Sequence, residues 1–186
     1  MNAVPLHPAP WLNPALRWRA LAMVEAPAPV RAWLRDSGSL TRRLQGYGRF
    51  RVEPRWQQLC RPRPEEARLL GLRPREAALV REVLLRVDEQ PVVHARSVLP
   101  LASLRGGNQR LGHMAGRSLG AELFRRPRAR RRAMWAARVP PQFLPPEAGD
   151  EAAWGRLSLF HKRGRPLLVA EVFLPALWRD LQESLD

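Results

Sequence analysis

The stretch from Glu76 to Leu99, EAALVREVLLRVDEQPVVHARSVL, decides the fold. Two apolar runs, Glu76–Val87 and Val92–Leu99, flank the polar residues Asp88-Glu89-Gln90-Pro91, a pattern that predicts a β-hairpin with a four-residue turn. Pro100 follows the second run and ends it, because proline cannot donate a hydrogen bond to a neighbouring strand. Since a short turn joins antiparallel strands, this hairpin favours an antiparallel sheet.

A second hairpin is predicted near the end of the chain, where Trp154–Lys162 and Pro166–Leu174 flank Arg163-Gly164-Arg165. Two further strands are predicted at Phe50–Leu59 and Arg130–Val139. Short helices are predicted at residues 29–34, 39–44, 65–70, 118–124 and 176–186. Strands joined by short turns, with helices grouped between them, predict an α+β fold: a single antiparallel β-sheet of about six strands flanked by helices.

One charged residue interrupts an apolar run in each hairpin. Arg81 shares a strand face with Leu79, and Glu171 shares one with Val169, because alternate residues of a strand point to the same side. An unpaired ion in such surroundings costs several kcal/mol, so each residue needs a partner, a ligand or water. The alternatives are an Arg81–Glu171 salt bridge, edge positions in water, or a site in which the arginine binds a carboxylate and the glutamate exchanges a proton.

Length and composition predict a single domain over residues 1–186. Residues 1–14 contain four prolines and are predicted to be a poorly ordered lead-in, and residues 176–186 form a C-terminal extension. The chain shows no apolar core of signal-peptide length and no run that could span a bilayer, so a cytoplasmic location is expected.

The formal net charge of +15 suggests a nucleic-acid-binding protein. Nearly all of the excess is arginine, however, since Lys162 is the only lysine and the chain has no isoleucine, and this bias is typical of a G+C-rich coding sequence. The longest basic run, Arg125–Arg132, is interrupted by Pro127 and lacks aromatic residues for base stacking. The run is therefore interpreted as a solvated loop and strand edge, and nucleic-acid binding rests on charge alone.

The single cysteine, Cys60, excludes an intrachain disulfide and a site with several thiol ligands. The four histidines show no zinc-type spacing, so no metal site is expected.

Several segments, taken in order, resemble the signature segments of the chorismate lyase family over about Arg31–Pro175. These segments are Asp36-Ser37 with Leu40-Thr41-Arg42-Arg43, Arg81-Glu82-Val83-Leu84-Leu85, Ala95-Arg96-Ser97-Val98-Leu99-Pro100, Ser118-Leu119-Gly120 with Leu123-Phe124, Trp154-Gly155-Arg156, and Gly164-Arg165-Pro166-Leu167-Leu168 with Glu171-Val172-Phe173-Leu174-Pro175.

The resemblance implies a lyase that converts chorismate into 4-hydroxybenzoate and pyruvate, as the first step of ubiquinone biosynthesis. It implies no metal and no organic cofactor, and a ligand enclosed under short helical flaps on the antiparallel sheet. The expected partners are chorismate and 4-hydroxybenzoate, with no nucleic acid and no membrane span, and the expected state is a monomer.

By position, the resemblance assigns roles to five residues. Arg81 matches the arginine that grips the ring carboxylate, and Glu171 matches the glutamate that meets the 4-hydroxyl and is expected to handle the proton at or near ring carbon 4. Arg96 matches an arginine on the enolpyruvyl side, where it would stabilise the leaving group. Leu119 matches a residue whose backbone amide helps hold the ring carboxylate, and Leu40 falls where the family often has methionine with a similar role. Chorismate is a dianion, so two arginines suit its two carboxylates.

The chain departs from the family pattern at Ala95, where glycine commonly precedes the second arginine, and in a longer loop over residues 140–153. A non-catalytic alternative is a small-molecule-sensing domain, because the ligand domains of some bacterial transcription regulators share this fold. Such regulators carry a winged-helix region before the sensor, for which residues 1–30 are too short and too rich in proline. The presence of Arg81, Arg96 and Glu171 together favours the enzyme.

Overall fold

A computed structural model describes residues 16–114 and 116–183, and the side chains of these residues up to residue 179. The predicted lead-in over residues 1–14 lies outside the described residues, as do the last three residues of the predicted extension.

The described residues form one seven-stranded sheet in the order β1-β5-β6-β7-β4-β3-β2, with antiparallel neighbours throughout. The strands are β1 (Arg19–Ala20), β2 (Phe50–Cys60), β3 (Ala78–Val87), β4 (Gln90–Pro100), β5 (Arg130–Val139), β6 (Ala153–Lys162) and β7 (Arg165–Phe173). Six of them are the predicted strands. The seventh, β1, has two residues, too few to show an alternating pattern in the sequence.

Five α-helices in the described ranges connect or flank the strands, which confirms the α+β class. They are α1 (Ala28–Leu34), α2 (Leu40–Gln45), α3 (Pro64–Leu70), α4 (Leu119–Phe124) and α5 (Pro175–Glu183). Short 3₁₀ helices occupy Leu21–Met23, Leu101–Leu104, Gly106–Gly112, Pro141–Phe143 and Pro146–Ala148. No helix in the described part of the chain combines the length and the apolar character needed to cross a bilayer.

The turn between β3 and β4 is shorter than the predicted four residues. Asp88 and Glu89 alone form it, with φ angles of 44° and 67°, while Gln90 pairs with Val87 and Pro91 with Arg86. Positive φ at both central residues defines a type I′ turn, whose twist matches the twist of the two strands. The hydrogen-bonded ladder therefore continues through two residues that the sequence pattern placed in the loop.

The two faces of the sheet pack against different helices. On one face, Val80, Leu84 and Leu168 belong to a buried cluster that includes Leu70 of α3. On the other face, β3 and β4 residues pack with α1, α2 and α5 in one cluster, and β7 residues pack with α4 and the 106–112 segment in another. This second face carries Arg81 and Glu171, so it is the face that positions the site.

Two short helices, α2 and α4, contact each other over this second face. The Ser39 hydroxyl accepts a hydrogen bond from the Arg42 backbone N–H at 3.4 Å and caps the start of α2. The chain's only lysine, Lys162, fixes the end of α4 and the loop that follows it, because its Nζ donates to the carbonyls of Glu122 (2.8 Å), Arg125 (3.2 Å) and Pro127 (3.0 Å). Side-chain hydrogen bonds thus cap the start of α2 and tie the end of α4 to strand β6 of the sheet.

Candidate active site

A cavity lies between the second face of the sheet and the two short helices α2 and α4. Its walls are mostly apolar, and the charged residues among them come from strands. The cavity is lined by Gly38, Leu40, Thr41, Val52, Arg81, Val83, Leu85, Ala95, Arg96, Ser97, Ser118, Leu119, Gly120, Leu123, Phe124, Arg131, Phe160, Val169 and Glu171. The five residues predicted for the site are all in this set.

Arg81 of β3 is buried, with 3% of its surface exposed, in a wall that also contains Val83. Its Nη2 donates to the Arg117 carbonyl at 2.9 Å, in the segment just before α4. Burial lowers the pKa of Arg81, although a guanidinium stays protonated at neutral pH. This end of the cavity therefore offers a desolvated cation to an anionic ligand.

Glu171 of β7 lies on the same face, at the other end of the cavity. Arg81 pairs with Ser97 of β4, and Ser97 pairs with Val169, so Glu171 lies two strands and two residues from Arg81. These offsets correspond to about 12 Å between the two Cα atoms, which leaves room for a ligand between the two side chains.

The partner of Glu171 is Arg156 of β6, not Arg81, so the Arg81–Glu171 salt bridge considered as an alternative is wrong. Arg156 donates to Glu171 Oε2 from Nε at 2.8 Å, and its Nη2 lies 2.7 Å from the same oxygen. Among the described residues, the hydrogen bond and the ion pair to Glu171 both involve Oε2, which leaves Oε1 available to a ligand.

Arg156 also connects the carboxylate to the segment between α1 and α2. Its Nη1 donates to the carbonyls of Trp33 (3.0 Å), Leu34 (3.4 Å) and Asp36 (2.8 Å), and only 1% of its surface is exposed. Arg156 belongs to one of the segments that resemble the family, but the sequence pattern predicts no role for it. The available signal was a charged residue in a strand that pairs with the strand of Glu171, and the register does place Arg156 directly opposite Glu171.

Arg96 is among the lining residues only because it belongs to β4. Its guanidinium lies on the opposite face of the sheet. Ala95, not Arg96, is the residue opposite Glu171, and Ser97 is the residue opposite Arg81. Arg96 donates to Glu66 Oε1 (2.7 Å) and Oε2 (3.1 Å) and to Glu82 Oε1 (2.8 Å). The structure thus corrects the prediction that Arg96 contacts the enolpyruvyl group, since strand alternation turns neighbouring residues to opposite faces.

A different arginine, Arg131 of β5, lines the cavity near Glu171. Its Nη1 donates to the Asp36 carbonyl at 2.9 Å, and its guanidinium carbon lies 4.7 Å from the centroid of the Phe160 ring. The sequence pattern predicts that all of Arg125–Arg132 is solvated, which is correct for the exposed arginines of that run and wrong for Arg131. The bulge in β5 between Arg131 and Ala133 changes the local register.

Leu40 and Leu119 are the first residues of α2 and α4, at positions whose backbone N–H groups have no acceptor within their own helix. The hydroxyls of Thr41 and Ser118 are hydrogen-bonded to each other and join the two helices across the cavity. A Cβ atom at Gly120 would lie 2.7 Å from Thr41 Oγ1, so only glycine allows this close approach. These contacts support the predicted arrangement of short helical flaps over a buried pocket.

In the described part of the chain, no group of three or more His, Cys, Asp or Glu residues could hold a metal ion. A buried arginine and a buried carboxylate at opposite ends of an apolar cavity define a binding site for a small, mostly apolar anion. The fold is similar to that of the "ligand-binding domain of a putative GntR-family transcriptional regulator" from Bordetella bronchiseptica, which aligns with a TM-score of 0.51 at 23% identity, over 69% of this chain and 84% of that one. At this identity, the likeness concerns the fold alone.

The sequence comparisons define the family more closely. The chorismate lyase family model matches residues 11–183, and the chain belongs to that family. A "Probable chorismate pyruvate-lyase" from Alcanivorax borkumensis is 51% identical over 170 residues, which cover 91% of this chain and 81% of that protein. Another, from Thiobacillus denitrificans, is 46% identical over 161 residues, covering 82% of this chain and 86% of the relative.

Proposed function

We propose that this protein is a chorismate pyruvate-lyase that eliminates pyruvate from chorismate to give 4-hydroxybenzoate, without a metal or organic cofactor. The observation that carries the proposal is the placement of Arg81 and Glu171 at opposite ends of one apolar cavity. The names of the relatives support the substrate. The first step of ubiquinone biosynthesis and the cytoplasm stay the predicted pathway and location.

The ring carboxylate of chorismate binds at the Arg81 end of the cavity in this proposal. The buried guanidinium supplies charge-assisted hydrogen bonds, and the backbone N–H groups of Leu119 and Leu40 add donors from the two flaps. Val83 and Val169 supply apolar contacts for the ring. Because the cavity is closed by α2 and α4, these charges act in a low-dielectric environment, where their attraction is stronger than in water.

The reaction takes place at the Glu171 end. Glu171 Oε1 accepts the proton from ring carbon 4, and the electron pair of that C–H bond forms the double bond between ring carbons 3 and 4. The bond between ring carbon 3 and the ether oxygen breaks, its electrons stay on that oxygen, and the released enolpyruvate becomes pyruvate by taking up a proton at its methylene carbon. Aromatisation of the ring supplies the driving force, and no oxidant or reductant is needed.

Arg156 is a positioning residue for this step. By holding Oε2, it fixes the orientation of the carboxylate and leaves Oε1 for the substrate. Its three carbonyl contacts keep the guanidinium in place when Glu171 changes its charge.

The direct test supplies purified protein with chorismate and measures pyruvate by a coupled lactate dehydrogenase assay and 4-hydroxybenzoate by chromatography. We expect equal amounts of the two products, with the same rate in the presence of a chelator. Absence of turnover would contradict the proposal. Binding of 4-hydroxybenzoate without turnover would instead favour the sensing-domain alternative, whose fold the Bordetella structure shares. Filter binding of nucleic acid across a salt series tests the charge-based alternative, because phosphate contacts give a steep salt dependence.

The Arg81→Met variant tests the anchoring role of the guanidinium. We expect the affinities for chorismate and for 4-hydroxybenzoate both to fall by about 10- to 100-fold, because both ligands carry the ring carboxylate and lose charge-assisted hydrogen bonds. Calorimetric titration measures the affinity for 4-hydroxybenzoate, and KM serves as the measure of chorismate binding. Arg49→Met is the matched control, since the Arg49 side chain is 78% exposed and pairs with Glu89 outside the cavity. An Arg81→Met variant that binds 4-hydroxybenzoate as tightly as the wild type would show that the anchor is elsewhere.

A further inference from the structure

We infer that Arg131 binds the second carboxylate of the substrate, the one on the enolpyruvyl side chain. The inference rests on the proposed function and deepens it, because it names the group that recognises the part of chorismate that departs as pyruvate. Arg96, the residue expected to do this, is engaged by Glu66 and Glu82 on the opposite face of the sheet.

The contacts of Arg131 hold its guanidinium at the cavity wall while leaving part of it unused. Nη1 is fixed by the Asp36 carbonyl at 2.9 Å, and the Phe160 ring lies 4.7 Å from the guanidinium carbon. Nε is buried and, among the described residues, has no hydrogen-bond acceptor. A buried donor without an acceptor is costly, and a ligand carboxylate in the cavity would satisfy it.

The charges around Arg131 leave the Glu171 end of the cavity positive. The Glu171 carboxylate is already paired with Arg156, and the Asp36 carboxylate with Arg43 at 2.9 Å. Within the described residues, Arg131 forms no salt bridge of its own, so its charge is available to an anion. Burial and the positive charge of Arg156 lower the pKa of Arg131 by more than the charges of Glu171 and Asp36 raise it, so an added anion would favour this cation.

The position fits the chemistry of chorismate. With the ring carboxylate at Arg81, the 4-hydroxyl and the hydrogen on ring carbon 4 meet Glu171. The enolpyruvyl ether is attached at the neighbouring ring carbon 3, so its carboxylate falls beside Glu171 rather than beside Arg81. As the bond from ring carbon 3 to oxygen breaks, negative charge grows on the departing enolpyruvate, and the Arg131 guanidinium offsets it.

The test compares two stable ligands that differ in the second carboxylate. The probes are 4-hydroxybenzoate, with one carboxylate, and 3-(carboxymethoxy)-4-hydroxybenzoate, with two, measured by calorimetric titration. We expect Arg131→Gln to lower the affinity for the dicarboxylate by about 10- to 100-fold, because one charged hydrogen-bonding partner is lost. The KM for chorismate should rise by a similar factor. The affinity for 4-hydroxybenzoate should stay within about twofold of the wild-type value, since that ligand does not reach Arg131.

Two further variants complete the design. Arg132→Gln is the matched control, because Arg132 is the next residue of β5 and is exposed, and it should leave both affinities unchanged. Arg131→Lys retains the positive charge but lacks the paired N–H donors of a guanidinium. It should therefore recover part of the affinity for the dicarboxylate. Equal losses for both ligands in Arg131→Gln, or a wild-type protein that does not prefer the dicarboxylate, would overturn the inference. If the proposed function is wrong, the wild-type protein does not convert chorismate. The comparison of the two ligands still tests the role of Arg131 in that case.

Discussion

Glu171→Gln is expected to lower kcat for chorismate by about 10²- to 10⁴-fold while 4-hydroxybenzoate still binds, because the variant loses the proton acceptor and keeps the shape of the side chain. The amide oxygen of glutamine can accept the hydrogen bond that Arg156 Nε now donates to Oε2. The amide nitrogen then faces the cavity and can donate to the 4-hydroxyl of the product. Stopped assays of pyruvate release give kcat, and calorimetric titration gives the product affinity.

A loss of turnover in Glu171→Gln must be separated from a loss of folded protein, because the buried Arg156 no longer faces a full negative charge. The thermal unfolding midpoint of the variant is therefore measured beside its activity. Glu122→Gln is the matched control, since Glu122 lies in the flap helix α4, is 19% exposed and comes no closer than 4.0 Å to Arg125. A folded Glu171→Gln variant with near wild-type kcat would show that the substrate or water carries the proton, and that Glu171 only orients the 4-hydroxyl.

Much of the sheet could be predicted from the sequence because its central strands are apolar runs, buried on both faces, that are bounded by turn-forming residues. The observed β5 has the predicted bounds, and the other predicted strands differ from the observed ones by a few residues at their ends. The turn at Asp88-Glu89 was predicted too long, because Gln90 and Pro91 are polar or turn-forming residues whose place in a ladder depends on the partner strand.

The candidate site was only partly predictable. Arg81 and Glu171 stand out because each lies on a strand face whose other residues are apolar, and such a charge needs a specific partner or ligand. Arg131 gives no such signal, because five other arginines between residues 125 and 132 surround it and the bulge that turns it inward is a property of strand pairing. The role of Arg96 came from the family position, although strand parity already places Ala95 and Ser97, and not Arg96, on the face of Arg81 and Glu171.

Arg96→Met is expected to destabilise the protein by about 3–5 kcal/mol, because it leaves two buried carboxylates without their shared cation. Glu66 and Glu82 are 0% and 5% exposed, and Arg96 itself is 3% exposed. Although burial lowers the pKa of Arg96, the hydrogen bonds and charges of Glu66 and Glu82 outweigh it and raise that pKa, which shows how strongly the two carboxylates favour the cation. Urea denaturation measures the change in the free energy of unfolding.

Because the Arg96 side chain lies on the opposite face of the sheet, its loss should affect activity differently from the loss of an arginine that binds the substrate. For the folded fraction of Arg96→Met, KM for chorismate and the affinity for 4-hydroxybenzoate should stay close to the wild-type values, whereas Arg131→Gln changes KM with little effect on stability. Adding Glu66→Gln to Arg96→Met should recover part of the lost stability, because the second change removes a buried charge that the first left without its arginine. A stable Arg96→Met variant with a raised KM would indicate that the Arg96 guanidinium lies in the cavity. Arg96, and not Arg131, would then bind the second carboxylate of chorismate.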